Sequence, residues 1–474
     1  MPGSNAYDVT TWPHGDPYDD IGAVINGIIA DVKARQAESH ADGRGKPGAV
    51  IHIPPGDYRL RTQVLIDRSF LRIQGAGHGF ASSSIRFNMP EGEWPGLHEL
   101  WPGGSRIMVD IPADRIRSEA DGAAFRVARS GSPRISSVEF VDFCIDGLHF
   151  ASAGPEEPAG GPADSAGGNP ENSYANGRTG VFVETANDSV RITGMGFVYL
   201  EHAITICNAD ALSIHDNFIA ECGNCIELRG WGQASKITDN LIGAGPDGHS
   251  IYAEHHGGLL ITANNVFPRG ASSIHLHGVR RSSVTNNRLH SFYPGMVVLA
   301  ADSSENLVAS NHLLRDHEPW TPFVGIDNGL DDVAGLLSIS GSNNSVIGNH
   351  ISEVVKSGRI RPRGATPVII RLVEGHGNYI AGNHVVAMDV TATPSDSAFE
   401  AQVDALLAEE SQALEVTAVL VDAASTRNTI LDSGRADQVI VDTAVNAVRA
   451  TPPVGDGALT RASPDLQALR GGIR

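Results

Sequence analysis

Asp210 and Glu221 stand eleven residues apart in the run NADALSIHDNFIAECGNCIEL, two carboxylates on either side of a short apolar stretch. Splitting a glycosidic bond needs such a pair: one carboxyl protonates the departing oxygen, and the other takes the proton of the incoming hydroxyl. Other acids compete for these roles, with Asp142 and Asp146 before the pair, Asp247 and Glu254 after it, and Asp327, Asp331 and Asp332 further on. For any one of them alone, a solvated turn is the ordinary explanation, because Asp and Glu are mostly exposed. The pair has to be judged by the scaffold that holds it.

That scaffold is written as a repeat. Asn217, Asn240, Asn264, Asn287 and Asn311 recur at spacings of 23, 24, 23 and 24 residues, in SIHDNFI, KITDNLI, LITANNVF, SVTNNRL and LVASNHLL. SVIGNHI with Asn349 and YIAGNHV with Asn383 echo the pattern after longer excursions. The period is the length of one coil of a parallel β-helix, so the expected fold class is an all-β solenoid. Stacked coils bring Ile over Ile inside and Asn over Asn at the turn, where side-chain amides bond between layers. A residue repeated on every coil cannot mark one active site, which makes the asparagines structural.

In such a scaffold eleven residues are about half a coil, so Asp210 and Glu221 leave the backbone on either side of the Asn217 corner and are expected to face one shallow groove. Residues about one coil away then line it: Gln233 beside Asp210, and Asp247 or Glu254 above Glu221. Trp94, Trp101, Trp231 and Trp320 are candidate stacking platforms for sugar rings, with packing or a subunit interface as their more ordinary use.

Composition agrees with thin stacked coils. Hydrophobic residues make up 41% of the 474-residue chain, aromatics only 6%, and there are 53 glycines to turn the corners. A solenoid core grows along its axis, so one domain over residues 1–450 is the economical division. Within it, 1–45 form an N-terminal cap region, 151–180 an inserted loop and 395–450 a C-terminal cap region, with 451–474 as a flexible tail. Ile21, Val24, Ile25, Ile28, Ile29 and Val32 share one face of a helix that opens on Asp19 and Asp20 and covers the first strands. A second capping helix is expected from about Ser397 to Glu410. The segment ASAGPEEPAGGPADSAGGNPENSYANGRTG loses apolar periodicity and reads as a loop, either a lid or a solvated insertion.

The 55 acidic against 35 basic residues leave a formal charge of −20, which argues against a nucleic-acid partner. No apolar stretch is long enough to span a bilayer, and the first residues lack the basic start and apolar core of a signal peptide. The compartment read from this is cytoplasmic, or extracellular if the chain is a mature form. Cys222-x-x-Cys225 has no second pair at matching spacing, so the four cysteines read as small buried side chains and no metal or cofactor is expected.

The strings GMGFVYLEHAITICNADALSIHDNFIAECGNCIELRGWGQASKITDNLIGAG, IPPGDYRLRTQVLIDRSFLRIQGAGHGF, NNRLHSFYPGM and LLRDHEPW carry a specific likeness. From about Tyr7 to Pro452 the chain resembles the inulin fructotransferases that form difructose dianhydrides. The resemblance implies a right-handed parallel β-helix, a homotrimer with active sites between neighbouring subunits, and a catalytic Asp and Glu that fall on Asp210 and Glu221. It further implies that the terminal two sugars of inulin leave as a ring, when O3 (dianhydride III, the favoured product) or O1 (dianhydride I) of the end fructose attacks C2 of the second. Glu221 is expected to be the acid and Asp210 the base. The Gly/Pro-rich insertion after Phe150 is longer than the family pattern, which bears on the rim of the site.

Three rival functions share parts of this pattern. Asp331-Asp332 and Gly375-His376-Gly377 superficially match polygalacturonase motifs, but the triplet lies inside a coil repeat and no Arg-x-Lys follows it. A hydrolase that opens the dianhydride with water would use the same fold and carboxylates. A non-catalytic trimeric glycan-binding β-helix would show the same repeats.

Overall fold

The computed structural model describes residues 5–39, 47–79, 103–131, 134–148, 174–245, 248–267, 271–316, 330, 332–357, 366–391, 411–431, 439–440 and 447–449. The chain winds as a right-handed parallel β-helix whose coils have three continuous faces and a short fourth. The coil nearest the carboxylate pair shows the plan. Ser213–His215 lies on the first face, Phe218–Cys222 on the second, Asn224–Arg229 on the third and Gly232–Gln233 on the fourth, before Lys236–Thr238 returns to the first. Among the described residues the three long faces hold 14, 12 and 12 strands, whereas the fourth holds five, from Ile135–Ser136 to His256–Gly257. Asp210 lies on the best-formed stretch of the fourth face, which continues through later coils only as single bridges and the pair Gly375–His376 with Ser425–Thr426.

Apolar stacking explains why the coils sit in register. On the first face Ile192, Ile214, Ile237, Ile261, Val284, Val308, Val346 and Ile380 form one inward row, each paired with the next. All are buried. Burying each such side chain contributes roughly 1.5–3 kcal/mol relative to leaving it in water, and a slip of one residue would turn the whole row outward.

The asparagines form the expected ladder. Asn217 Nδ2 donates to Asn240 Oδ1 at 2.9 Å, and the same bond recurs from Asn240 to Asn264, Asn264 to Asn287, Asn287 to Asn311, Asn311 to Asn349 and Asn349 to Asn383. Each Oδ1 also accepts the backbone N–H of the asparagine one coil before, as in Asn240 N to Asn264 Oδ1 at 3.1 Å. A second ladder runs through Asn306, Asn344, Asn378 and Asn428 at the corner between the fourth and first faces. Its signal in the sequence is an asparagine five residues before Asn311, Asn349 and Asn383.

Replacing Asn264 by Ala removes the acceptor of Asn240 N and Nδ2 and the donor to Ile237 O, all at a buried corner. The expected cost is about 2–4 kcal/mol, because several buried polar groups lose their partners together. A lowered melting temperature with unchanged β-sheet circular dichroism before melting is the check.

The N-terminal cap is the helix Pro17–Ser39, broken at Asp20, which has φ −152° and ψ 86°. Asp20 Oδ1 accepts from Arg61 N and Thr62 N, and Oδ2 accepts from Thr62 Oγ1, so this residue ties the helix start to the first coil. The six apolar residues of the predicted stripe are all buried. Ahead of the helix, Ala6–Asp8 adds a strand to the first face beside Ala49–His52, which the sequence reading did not anticipate. The expected helix at 397–410 and the tail 451–474 lie outside the described residues. Strands Thr417–Val421 and Val439–Ile440 continue the third face.

Cys144, Cys222 and Cys225 are buried, Cys207 is half-buried, and all four are free thiols. Burial pushes the Cys144 and Cys222 thiols well up from their ordinary value.

Candidate active site

Asp210 projects from the fourth face, in register with Asp188 on one side and Gln233 on the other. Gln233 Nε2 donates to Asp210 Oδ2 at 3.1 Å, so the residue expected one coil along does touch it. Arg134 Nη1 donates to the same oxygen at 3.0 Å from 76 residues earlier in the chain. That long separation is not periodic, and nothing in the sequence pointed to it. On the inner side of this face lies His256, buried close over Gly232, where an added Cβ would stand 2.0 Å from His256 Cε1. Desolvation pushes His256 down to about 4, against the pull of the Asp210 charge, so the ring is neutral near pH 7.

Glu221 sits at the corner between the second and third faces. Ile219 pairs with Ile242 and Cys222 with Ala244, which leaves Ala220 and Glu221 opposite Gly243 alone. This bulge puts Glu221 at φ +56°, in the left-handed region that a side chain adopts at a cost. Its side chain is 2% exposed, and neither carboxylate oxygen has a hydrogen-bond partner among the described residues. A buried carboxylate that the protein leaves unsatisfied is expensive to keep and is characteristic of a group reserved for a ligand.

The surroundings of Glu221 are apolar and aromatic. Cys144, Tyr174, Val198, Tyr199 and Ala220 cluster there outside the main core, with Phe218 against them and the rings of His78 and Phe267 on Phe218. Tyr174 lies so close to Gly245 that a Cβ there would meet its Cγ at 2.8 Å. Tyr174 begins the return of the inserted segment, and the next residues are clamped to the same corner. Glu201 Oε2 accepts from Asn176 N at 2.9 Å and Gly177 N at 2.6 Å, while Asn176 Nδ2 donates to Tyr199 O at 2.7 Å and Arg178 Nη1 to Gly147 O at 2.7 Å.

The third face separates the two carboxylates. Asp210 follows the strand His202–Cys207, and Glu221 precedes the strand Asn224–Arg229, which pairs with it. At about 3.3 Å per residue, the six-residue span puts the two groups on the order of 20 Å apart along the face. A single chain therefore does not bring Asp210 and Glu221 into one groove. The expectation failed because half a coil of a four-faced coil leads to the far edge of a face, not to its near side.

Between these edges the third face is polar and ring-rich. Glu119 reaches over from the loop after Ala113–Arg115 and pairs with Arg229 Nη1 at 2.6 Å, while Arg229 Nη2 pairs with Glu227 at 2.7 Å. His202 Nδ1 lies 2.6 Å from Glu227 Oε2, and Thr205 Oγ1 donates to Glu119. Burial works against a charged His202, but the hydrogen bond and charge of Glu227, with Glu119, outweigh it and raise its pKa. Burial likewise opposes ionisation of Glu227, yet His202 and Arg229 lower its pKa. Glu119, His202 and Glu227 offer ligand atoms within 4.8 Å of one another, the spacing of a cation site. Arg229 already pairs with both carboxylates and His202 with Glu227, so the cluster is a salt-bridge network that a cation would have to break.

Glu254 was expected above Glu221. It stands instead at the other end of the third face, over Arg229, accepting from Gly230 N at 2.6 Å and Tyr252 Oη at 3.0 Å. Tyr252 packs with His249 and His275 in a ring cluster that sequence reasoning missed. Trp231, 57% exposed, stands between the third and fourth faces on the Asp210 side. Asp247, Trp94, Trp101 and Trp320 lie outside the described residues.

A β-solenoid with one carboxylate at each edge of a ring-lined face is built as a carbohydrate-active enzyme. Comparison with known proteins makes the family plain: the chain belongs to the inulin fructotransferase family. It is 44% identical over 390 residues to the inulin fructotransferase [DFA-I-forming] of Arthrobacter globiformis, covering 81% of this chain and 90% of that one. Residues 310–452 match the family described as the beta helix repeat of inulin fructotransferase, and residues 164–320 match the periplasmic copper-binding protein (NosD) family. Among solved structures, DFA-IIIase from Arthrobacter chlorophenolicus A6 is 72% identical with a TM-score of 0.85, covering 95% of this chain and 99–100% of that chain. It has been solved in complex with DFA-III and with GF2. The same enzyme without its lid is 67% identical, with a TM-score of 0.81, covering 95% of this chain and 100% of that chain.

Proposed function

We propose that this chain is an inulin fructotransferase that releases the terminal difructose of inulin as difructose dianhydride III. O3 of the end fructose attacks C2 of the second, the C2–O1 bond to the remaining chain breaks, one carboxylate takes the proton of O3, and the other gives a proton to the departing O1. Attacker and centre belong to one molecule, so holding the disaccharide in a near-attack shape can supply up to roughly 7–11 kcal/mol of the barrier. Dianhydride III is favoured over I because the 72%-identical relative is named for DFA-III, whereas the DFA-I-forming relative is 44% identical.

The single observation that carries the assignment of roles is the buried carboxyl of Glu221 in its bulge, unpartnered among the described residues. It suits a proton donor shielded from bulk water, while Asp210, half-buried beside Arg134 and Gln233, suits the group that meets the attacking hydroxyl. Because the two stand at opposite edges of the third face, a site using both needs a second subunit. In a closed trimer with third faces turned to the threefold axis, the Asp210 edge of one subunit meets the Glu221 corner of the next. In this reading the insertion ending at Tyr174 is the counterpart of the relative's lid, and Trp231 and the Tyr252 cluster line the approach.

A second reading is supported by the name and ligand of the 72%-identical relative, a DFA-IIIase holding DFA-III itself. The same carboxylates, by microscopic reversibility, would open the dianhydride with water as the acceptor. Incubation with inulin and, separately, with purified dianhydride III, followed by carbon NMR, tests both. Cyclic product from inulin supports the transferase, linear difructose from the dianhydride without cyclic product from inulin supports the hydrolase, and turnover of neither substrate overturns both.

A further inference from the structure

The segments SNHLL, GNHI and GNHV place a histidine directly after an asparagine of the first ladder on three successive coils. His312, His350 and His384 are consecutive partners on the second face, and all three are exposed. The asparagine before each is fixed by its ladder bonds, Asn311 to Asn349 at 2.9 Å and Asn349 to Asn383 at 2.8 Å, so the backbone beneath the rings is rigid. Ring centroids lie 5.1 Å and 4.9 Å apart, and the Nδ1 atoms of His350 and His384 are 3.0 Å apart. Two nitrogens at metal–nitrogen distances of about 2.0–2.1 Å and angles of about 90–109° stand roughly 2.9–3.4 Å from each other. The His350–His384 pair has that separation, held by a hydrogen bond between the two rings that an ion would replace.

We propose that His312, His350 and His384 form a surface site for a divalent transition-metal ion of the zinc, nickel or copper type. His350 and His384 Nδ1 supply the first two ligands, and rotation of the exposed His312 ring supplies the third. Imidazoles without a carboxylate among them select such ions over magnesium or calcium, which prefer oxygen. Arg288, the cation on the preceding rung, turns its Nη1 away to Asn265 Oδ1 at 3.2 Å. The site lies four rungs beyond the strand of Glu221 on the same face, roughly 19 Å along the axis, so it is separate from the proposed chemistry. Its effect would be to clasp three coils together.

The test is calorimetric titration of the full chain, free of any histidine tag and stripped with chelator, with zinc chloride and nickel chloride. One ion per chain is expected, no heat with magnesium chloride, and an affinity at least about tenfold weaker in His350→Ala and in His384→Ala. His202→Gln, which alters the other histidine–carboxylate cluster, should leave the affinity unchanged. A rise in melting temperature on adding zinc, present in the wild type and absent in His350→Ala, is the second readout. Equal zinc affinity in His350→Ala and wild type, or loss of binding in His202→Gln, would overturn the site and leave the three rings as a stacked ladder only.

Discussion

Glu221→Gln is expected to lower turnover by about 10²–10⁴-fold, the range that a positioned proton donor or acceptor supplies, while the coil structure and assembly stay as they are. The substitution is nearly isosteric, so the bulge at Ala220–Glu221 and the contacts of Tyr174 and Tyr199 have no reason to change. It also replaces a carboxyl that has no hydrogen-bond partner among the described residues, so the variant should melt no lower than the wild type. A structural role predicts the opposite combination, lost stability with retained turnover. Melting curves and initial rates on the same preparations separate the two, and full activity in Glu221→Gln would remove this residue from the mechanism.

The second large effect concerns how a site is shared. Asp210→Asn alone and Glu221→Gln alone should each be close to inactive, yet coexpression of the two variants should restore activity. In a trimer of randomly mixed chains, about one site in four joins an intact Asp210 from one subunit to an intact Glu221 from the next, so about a quarter of wild-type activity is expected. The reasoning rests on the third face. The strands His202–Cys207 and Asn224–Arg229 span the distance between the two carboxylates, and no rearrangement of side chains closes a gap on the order of 20 Å. If every mixture is as inactive as the single variants, the pair does not work across an interface. If, in addition, size measurement shows a monomer, the proposal of shared sites fails altogether.

The polar network on the third face takes its meaning from the same geometry. Glu119, Arg229, Glu227 and His202 neutralise one another on a face that the proposed assembly would bury, where an unpaired charge would be costly. Residues of the proposed site thus stand at the edges of the face and satisfied ion pairs in its middle.

The sequence determined the solenoid, because a coil that must bury one apolar row repeats its corner residue at coil length, and Asn217 through Asn383 do so visibly. It also determined the N-terminal helix, since the helical spacing of Ile21, Ile25, Ile28 and Val32 makes one apolar face that must be covered, and all four are buried. The shortlist of Asp210 and Glu221, and Gln233 stacked on Asp210, followed from the same period. Tertiary structure alone decided which way those carboxylates face. The number of faces per coil depends on where the bends fall, and the left-handed bend shared by Tyr199 and Glu221 on successive coils is occupied by unlike residues, so no residue type announces it. Arg134 and Glu119 were invisible because their separations in sequence are not multiples of a coil: Arg134 directly precedes the fourth-face strand Ile135–Ser136, two rungs from Asp210 yet 76 residues away, and Glu119 lies 86 residues from Thr205.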